Sequence, residues 1–422
     1  MIPRLLALAL CFMLASTVTA SAQSAIVLGD HVASKVGIEQ VATGLAFPMG
    51  MTVLPDGSLL VSTSPSDQGN FYASAGELLR LADSDGDGSL DQQTALASGL
   101  PGSLVAVTRF GEIVIATSAQ NGNEQIMFFR RGEHWRDPLT EVTAITLAFN
   151  GSEHQSYGLA VQPHQGDKTA FDLFFNVGSR GNAIVGPDIQ TGGAVTSSLR
   201  AASVYMVTVT DAGADLAFGD PVLVATGLRN GTTLALQPGS GDLWIGENGI
   251  DGLVDPTVSF SADELDVVPA ESIGSDVLDF GFPDRYINYA TGNPVGDETD
   301  RVNFLPIDGS ESEGVAGIAF VPMSFGGPLA GGILAGFHGQ FDETGIENEE
   351  NPLLWIDPAT GKKFDLVSNE SPGVGHLDSI TAGEGVVYIA DFCDGSMAAA
   401  TEGCGVIYTL RPARSEEATP VD

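Results

Sequence analysis

The chain has 422 residues, and its 54 acidic and 17 basic side chains give a formal net charge of −37 at pH 7. Nucleic acids and anionic membrane surfaces are bound through basic patches, so this charge argues against both as partners. The excess of acid indicates either a surface adapted for solubility or several calcium sites, and these two explanations are compatible.

Residues 1–22 have the pattern of a secretory signal peptide. Arg4 precedes an apolar stretch from Leu5 to Leu14, and Ala20-Ser21-Ala22 provides a cleavage site of small residues. This stretch is too short to span a bilayer, and no later stretch is long and apolar enough. We therefore expect a secreted or periplasmic protein that does not insert into a membrane.

Six copies of one hairpin pattern follow. Each copy has a polar or Gly-rich start, an alternating apolar run, a turn such as Pro55-Asp56-Gly57, a second apolar run and a polar end. The copies begin at Gly44, Gly99, Tyr157, Gly227, Gly314 and Gly375. With 53 Gly, 22 Pro and no sustained helical periodicity, the repeats predict an all-β fold, a six-bladed β-propeller.

We assign residues 23–411 to this single propeller domain. Residues 23–40 are expected to form a leader into the first blade. The charged, Pro-containing segment 412–422 is predicted to be a disordered tail.

A candidate calcium loop follows the first hairpin, in the segment DSDGDGSLD. Its carboxylates recur at alternate positions, namely Asp83, Asp85, Asp87 and Asp91. Alternate carboxylates around a turn at Gly88 are typical of loops that surround one hard cation, although Thr94 stands where an EF-hand carries Glu. The segment predicts a structural calcium site at the edge of a blade, and the alternative is an acidic turn between strands.

Polar residues are expected to converge on one face of the propeller. Because the second strand of each hairpin returns to its starting face, the residues before the first strand and after the second lie near the central channel. These residues are His154, Gly178 to Asn182, Arg229, Asn230, Glu247, Asn248, His338, His376 and Asp391. We call this face the channel face.

Two kinds of chemistry are available there. A neutral imidazole at His154 could take a proton from a hydroxyl group, and Arg229 and Asn230 could donate hydrogen bonds to carboxylate or carbonyl oxygens. The alternatives are an ordinary core or surface histidine, and hydrogen bonds between blades.

The interval 255–312 is the longest between hairpins, and it is acidic and rich in turns. We expect this insertion to lie on a face of the propeller and to shape a substrate cleft.

Two cysteines remain after the signal peptide, Cys393 and Cys404. In an oxidising compartment they are predicted to form a disulfide that closes the loop beyond the last hairpin. The alternative, a thiol pair that binds a metal, has no further Cys or His nearby to support it.

Several segments resemble the glucose/sorbosone dehydrogenase family. GLRNGTTLALQPGSGDLWIGENG is similar to the family's Gly-x-Arg-Asn-Pro…Leu-Trp…Glu-x-Gly segment, with Gly231 in place of Pro. DELDVV followed by DFGFPD, FNVGSRGNA and AGFHG also resemble family motifs. The soluble quinoprotein members are six-bladed propellers that bind pyrroloquinoline quinone and calcium.

The resemblance implies roles for the channel-face residues. It aligns His154 with the catalytic base and Arg229 with the arginine near the reacting carbonyl. Asn230 and Asn248 align with quinone ligands, and Gly249 aligns with a position whose backbone oxygen binds the calcium of the quinone.

It also implies the reaction. A hydride would pass from the anomeric carbon of a sugar to the quinone. The reduced quinone would then pass its electrons to an acceptor that the sequence does not identify. Where glucose-oxidising members carry a lysine and arginines for the quinone carboxylates, this chain has His338 and His376. We predict that these two residues and Arg180 contact the cofactor.

The residues are also compatible with two other functions. One is a propeller without catalytic activity that binds carbohydrate or protein on its channel face. The other is a calcium-dependent, lactonase-like hydrolase, for which Glu247, Asn248 and Asp391 supply only part of a metal site.

Overall fold

The structure is a computed structural model. It describes residues 28–29, 32, 34–66, 71, 75–119, 124–155, 157–250, 261–288, 291–296, 302–304, 314–338, 353–367, 377, 379–392 and 403–413, with the backbone alone for 302–304. Within these ranges, no helix is long and apolar enough to cross a bilayer.

The first half of the described chain forms three antiparallel blades. β1 (Val36–Leu45) precedes them and belongs to the last blade. Blade 1 contains β2 (Gly50–Val53), β3 (Leu59–Thr63), β4 (Gly76–Ala82) and β5 (Gln92–Leu100). Blade 2 contains β6 (Ser103–Phe110), β7 (Ile113–Ala119), β8 (Glu124–Arg130) and β9 (Thr140–Ala148). Blade 3 begins with β10 (Leu159–Pro163) and β11 (Ala170–Val177). The hairpin of β12 (Ile189–Gly193) and β13 (Ser198–Leu199) then extends the outer edge of blade 2. Blade 3 resumes with β14 (Ser203–Asp211), β15 (Leu216–Phe218) and β16 (Val222–Thr226).

The second half forms three more blades. Blade 4 contains β17 (Gly231–Leu236), β18 (Leu243–Glu247), β19 (Asp263–Val268) and one further, outer strand. Between β19 and the outer strand the insertion forms three short strands, β20 (Leu278–Asp279), β21 (Tyr286–Ile287) and β22 (Pro294–Val295). The outer strand is β23 (Val302–Phe304). Blade 5 contains β24 (Val315–Phe320), two short 3-10 turns (Met323–Phe325 and Gly327–Leu329), β25 (Ile333–Phe337), β26 (Leu353–Ile356) and β27 (Lys363–Val367). Blade 6 contains β28 (Ser379–Gly383), β29 (Val386–Asp391) and β30 (Gly405–Pro412), with β1 as its outer strand.

The predicted six-bladed propeller is confirmed, and each of the six hairpin patterns forms the first two strands of a blade. The first strands of successive blades contact one another in a closed ring. They surround a central channel of about 90 Å³ that residues of all six blades line. The polar segments at the ends of the hairpins therefore lie around one axis.

The ring is closed differently from the sequence-based expectation. Part of the predicted leader, from Val36 onwards, is not an approach to blade 1 but the outer strand of blade 6, where β1 pairs with β30 from Val36 opposite Pro412 to Leu45 opposite Gly405. Because an unpaired strand edge leaves N–H and C=O groups without partners, this pairing protects the edge and joins the two ends of the described fold.

Apolar side chains fill the space between neighbouring blades. Between blades 2 and 3, for example, Phe128, Phe171 and Phe175 are at most 1% exposed. Phe175 stacks on Tyr205 with ring centroids 6.1 Å apart. Such close-packed interfaces hold the blades in register, so the segments at the strand ends have defined relative positions.

The insertion supports the segment between blades 3 and 4. The backbone N–H groups of Phe280 and Phe282 donate to the carbonyl oxygens of Thr226 and Gly227, both at 2.9 Å. These two acceptors lie just before Arg229 in the chain. The part of the insertion that the structure describes therefore packs against the backbone that leads to a predicted site residue.

Candidate functional site

The channel face brings together residues from blades 3 and 4. The Ser179 N–H donates to the Arg229 carbonyl oxygen at 2.9 Å, and the Asn248 N–H donates to the Asn230 carbonyl oxygen at 3.0 Å. These backbone bonds join the end of β11, the start of β17 and the end of β18. Segments that are far apart in sequence thus form one continuous surface.

His154 precedes β10 and is oriented by a buried hydroxyl group. Its Nδ1 lies 2.8 Å from Ser179 Oγ, and Ser179 Oγ lies 3.0 Å from the Gly181 carbonyl oxygen. The carbonyl can only accept, so the single hydroxyl proton of Ser179 is donated to it, and Ser179 accepts from Nδ1–H of His154. This arrangement assigns the proton of the neutral imidazole to Nδ1 and leaves the Nε2 lone pair available.

The surroundings keep that imidazole neutral. Burial, and secondarily the positive charge of Arg229, lower the pKa of His154 to about 3. His154 retains partial exposure. Its ring is therefore unprotonated at any pH well above 3.

Arg229 is 4% exposed and is held on several sides. Its backbone N–H donates to the Glu247 carboxylate. Its Nε donates to the Asn182 carbonyl oxygen at 3.1 Å, and its Nη1 donates to the Asn248 carbonyl oxygen at 3.3 Å. These bonds give the guanidinium a defined orientation beside His154.

Asn230 has a buried acceptor that nothing in the described chain satisfies. The residue is 6% exposed, and its Oδ1 atom has no hydrogen-bond partner among the described residues. Buried polar atoms are almost always paired, because an unpaired one loses the hydrogen bonds it made with water. The orphaned Oδ1 indicates that a ligand or a water molecule completes this part of the site.

The remaining predicted cofactor contacts lie in different surroundings. Asn248 is partly exposed between blades 4 and 5, and Arg180 is exposed beside His154. The His338 ring meets the Phe392 ring edge to face, with centroids 5.9 Å apart. His376 lies outside the described residues, so its predicted contact stays a prediction.

Three buried carboxylates stand next to Arg229, and sequence reasoning did not combine them into one site. Glu247 on β18 is directly opposite Glu264 on β19, and Asp266 follows two residues later on the same face of the strand. They are 5%, 3% and 0% exposed, and their ligand oxygens lie within 4.8 Å of one another. We call Glu247, Glu264 and Asp266 the buried acidic cluster.

Burial and mutual repulsion disfavour ionisation within the buried acidic cluster. Burial, Asp266 and Glu264 together raise the pKa of Glu247 well above its usual value. Glu247, Glu264 and Gly249 also line a cavity of about 10 Å³, which has room for about one water-sized occupant. The calcium ligand predicted at Gly249 therefore lies beside the cluster.

A signal for the cluster exists in the sequence but is not local. Acids at alternate positions of one strand, as in DELD, share a face. Glu247, however, joins them only through the pairing of β18 with β19.

The candidate calcium loop lies far from the channel face, between β4 and β5 of blade 1. Asp83, Asp85 and Asp87 are exposed, and their ligand oxygens lie within 4.8 Å of one another. Asp91 is not in this group, since its carboxylate accepts hydrogen bonds from Ser84 Oγ at 2.7 Å and from the Ser84 N–H at 2.8 Å. Calcium binding by these four residues stays a prediction.

The predicted disulfide cannot be placed, because Cys393 lies outside the described residues. Cys404 is partly buried against Phe47, Phe71 and Phe392. The pairing stays a prediction.

Solved structures share the fold of this chain. The PQQ domain of a pyranose dehydrogenase from Coprinopsis cinerea, in a holo form, is 14% identical, with a TM-score of 0.56 over 92% of this chain and 97% of that one. A protein of carbohydrate-active enzyme family AA12 from Trichoderma reesei is 16% identical, with a TM-score of 0.56 over 92% and 98%. The PQQ-bound aldose sugar dehydrogenase from Streptomyces coelicolor is 18% identical, with a TM-score of 0.54 over 90% and 99%.

Each likeness extends over at least 90% of this chain. No protein-family model matches its sequence, and no curated protein does. At these identities the likeness concerns the fold alone, so the function has to be argued from the residues.

Proposed function

We propose that the protein is an exported, PQQ-dependent sugar dehydrogenase that oxidises an aldose-type sugar at C1, with His154 as the general base. The observation that carries this proposal is the pair on the channel face: a neutral histidine with an available Nε2, beside a guanidinium of defined orientation. Three structurally similar proteins are named for sugar or carbohydrate activity, and two of these names include PQQ. These names support the same function.

The residues present fit such a quinone in their hydrogen-bonding groups. Asn230 Oδ1 is a buried acceptor without a partner among the described residues, and Arg229 is a buried donor suited to carbonyl or carboxylate oxygens. Asn248 and His338 would add contacts from blades 4 and 5, and Arg180 would add one at the rim. Because Arg229 is the one guanidinium among these residues that is buried, we expect weaker binding of a tricarboxylate than in a site with more cations.

The proposed roles follow from the hydrogen bonds. Nε2 of His154 would take the proton of the C1 hydroxyl, while Ser179 keeps the Nδ1 proton in place and fixes the ring. Arg229 would orient and polarise a carbonyl oxygen of the cofactor through its guanidinium. When bound, the quinone supplies a carbonyl that accepts the hydride from C1, and an external electron acceptor would reoxidise it.

Calcium is proposed at two places. Near the channel face, Gly249 and the buried acidic cluster offer oxygen ligands, the kind that calcium prefers. At the edge of blade 1, Asp83, Asp85 and Asp87 offer a separate structural site. A cation in the first place would also reduce the negative charge near an anionic cofactor.

The test begins with the wild-type protein prepared without cofactor. Quinone would be titrated with and without calcium and followed by its absorbance, and the loaded protein would then be assayed for dye reduction with a panel of aldoses. We expect a bound chromophore and oxidation of at least one sugar. Binding without oxidation would contradict the dehydrogenase activity for that panel.

A matched pair of variants tests the fit at Asn230. Asn230→Ala should raise the quinone dissociation constant about tenfold, the usual value of one buried hydrogen bond between Oδ1 and an N–H or O–H group of a ligand. Gln190→Ala removes an exposed amide on the outer hairpin of blade 2 and should leave binding unchanged. If the wild type does not bind quinone at all, the channel face is better explained as a site for carbohydrate without catalysis.

A further inference from the structure

A buried carboxylate lies beneath the junction of blades 4 and 5. Asp263 begins β19 and is 1% exposed. Its Oδ1 accepts the Gly249 N–H at 2.9 Å, and its Oδ2 accepts the N–H groups of Gly314 and Val315 at 2.7 and 3.1 Å. One side chain therefore satisfies three backbone donors.

These donors belong to two different blades. Gly249 follows Asn248 directly after β18 of blade 4, while Gly314 and Val315 lead into β24 of blade 5. The Gly314 carbonyl oxygen in turn accepts the His338 N–H at 2.8 Å. Asp263 is thus connected to the segments that carry both Asn248 and His338.

The two side chains approach each other at this junction. A Cβ atom added to Gly314 would lie 3.6 Å from Asn248 Nδ2 and 3.7 Å from His338 Cβ. Gly314 also has a φ of +72°, which is strained for any residue with a Cβ. The spacing between Asn248 and His338 therefore depends on where the Gly314 backbone is held.

The chemistry of the junction requires a carboxylate. An ionised carboxylate only accepts hydrogen bonds, and each of its two oxygens can take more than one. An asparagine would replace one oxygen by an NH₂ group, which would then face a backbone N–H. The same shape with the wrong polarity should push the two segments apart.

We propose that Asp263 is a positioning residue that sets the distance between Asn248 and His338, and with it the width of the ligand site between blades 4 and 5. The consequence for ligand binding rests on the proposed function. The consequence for His338 does not, so the two can be tested separately.

The first test needs no ligand. Ring ¹H–¹⁵N signals of the histidines would be recorded for the full protein and assigned by single His→Gln variants. In Asp263→Asn we expect the His338 signal to shift and the His154 signal to stay in place. Asp172→Asn is the matched control, because Asp172 is a buried carboxylate that binds His164 and Thr208 within blade 3; it should shift His164 and leave His338 unchanged.

The second test measures the dissociation constant for quinone in the presence of calcium. Asp263→Asn should raise it about tenfold or more, as is usual when the residue that orients a ligand group is lost, and Asp172→Asn should change it less than about twofold. If the wild type binds no quinone, the proposed function fails, and the ring signals alone decide the role of Asp263.

Gly314→Ala provides an independent check if Asp263→Asn does not fold. It keeps the carboxylate but strains the same backbone, and it should also move the His338 signal. A folded variant of either kind with an unchanged His338 signal would overturn the proposal, as would unchanged quinone binding by Asp263→Asn in a protein whose wild type binds it.

Discussion

Two groups of three carboxylates in the described part of this protein have closely spaced oxygens and opposite surroundings. In the loop of Asp83, Asp85 and Asp87 and in the buried acidic cluster, the ligand oxygens lie within 4.8 Å of one another. The first group is exposed at the edge of blade 1, and the second is buried beside the channel face. Their difference shows how the surroundings of a carboxylate change its pKa.

In the exposed loop, backbone N–H groups donate to the carboxylates of Asp83 and Asp87. Hydrogen bonds from the N–H groups of Gly88 and Gly86 lower the pKa of Asp83, and water solvates the remaining charge. In the buried acidic cluster, burial and the neighbouring acids raise the pKa of Glu247. The surroundings therefore disfavour ionisation of Glu247 in the cluster and favour ionisation of Asp83 in the loop.

The largest expected effect is on turnover, which should depend on the channel face and not on the exposed loop. His154→Ala should lower turnover about 10²–10⁴-fold, the usual contribution of a positioned base, and leave quinone binding largely intact. Asp83→Asn should leave turnover unchanged. The measurement is dye reduction by the quinone-loaded protein, and His164→Ala on blade 3 is the matched histidine control. A fall in turnover shared by both histidine variants would contradict a specific role for His154.

The next effect concerns stability without calcium. Glu247 holds its proton to a higher pH in the folded state than in the unfolded chain. Stability should therefore fall as pH rises from about 4.5 through the raised pKa of the folded state. Glu247→Gln keeps an acceptor for the Arg229 N–H and removes this loss, so it should stabilise the protein at pH 7 by on the order of 1–3 kcal/mol.

Urea unfolding in the presence of a chelator, at several pH values, checks this prediction. In saturating calcium the wild type should be more stable than Glu247→Gln, because the substitution removes a carboxylate ligand of the ion. Equal stability of the two proteins at pH 7 in chelator would contradict the electrostatic argument.

A smaller effect is expected at the loop. Calcium should raise the melting temperature partly through Asp83, Asp85 and Asp87, by mass action on the folded state. Because these carboxylates are exposed and screened by solvent, Asp83→Asn should remove less of the gain than a substitution in the buried acidic cluster does. Thermal unfolding at low salt, with calcium and with chelator, compares this variant with Glu247→Gln. If Asp83→Asn retains the full calcium effect, the loop does not bind the ion.

The smallest effect is an absence of pH dependence. With a pKa of about 3, His154 is already neutral at pH 5, so it should cause less than about a threefold change in kcat/KM between pH 5 and pH 8. An acid limb with a midpoint near 6.5 that is lost in His154→Gln would show that the ring titrates at its ordinary pKa.

The repeating units could be predicted from the sequence. Each hairpin lies within about twenty residues, and its alternating apolar runs and turn residues determine the strands locally. For the same reason the closely spaced carboxylates of the Asp83 loop could be predicted, because they and the turn glycine lie within nine residues from Asp83 to Asp91. Membership of one channel face followed from the hairpin geometry, which explains why His154, Arg229 and Asn230 were identified.

The tertiary structure decided the features that depend on pairing between distant segments. β1 closes blade 6 because its partner β30 lies at the other end of the chain, and no local pattern distinguishes that outer strand from a leader. Glu247 joins Glu264 and Asp266 only through the register of β18 against β19, and Asp263 reaches Gly314 only because blades 4 and 5 are adjacent. Local propensity determines which segments form strands, whereas register and blade contacts determine which side chains share a buried space, and these depend on the packing of the whole ring.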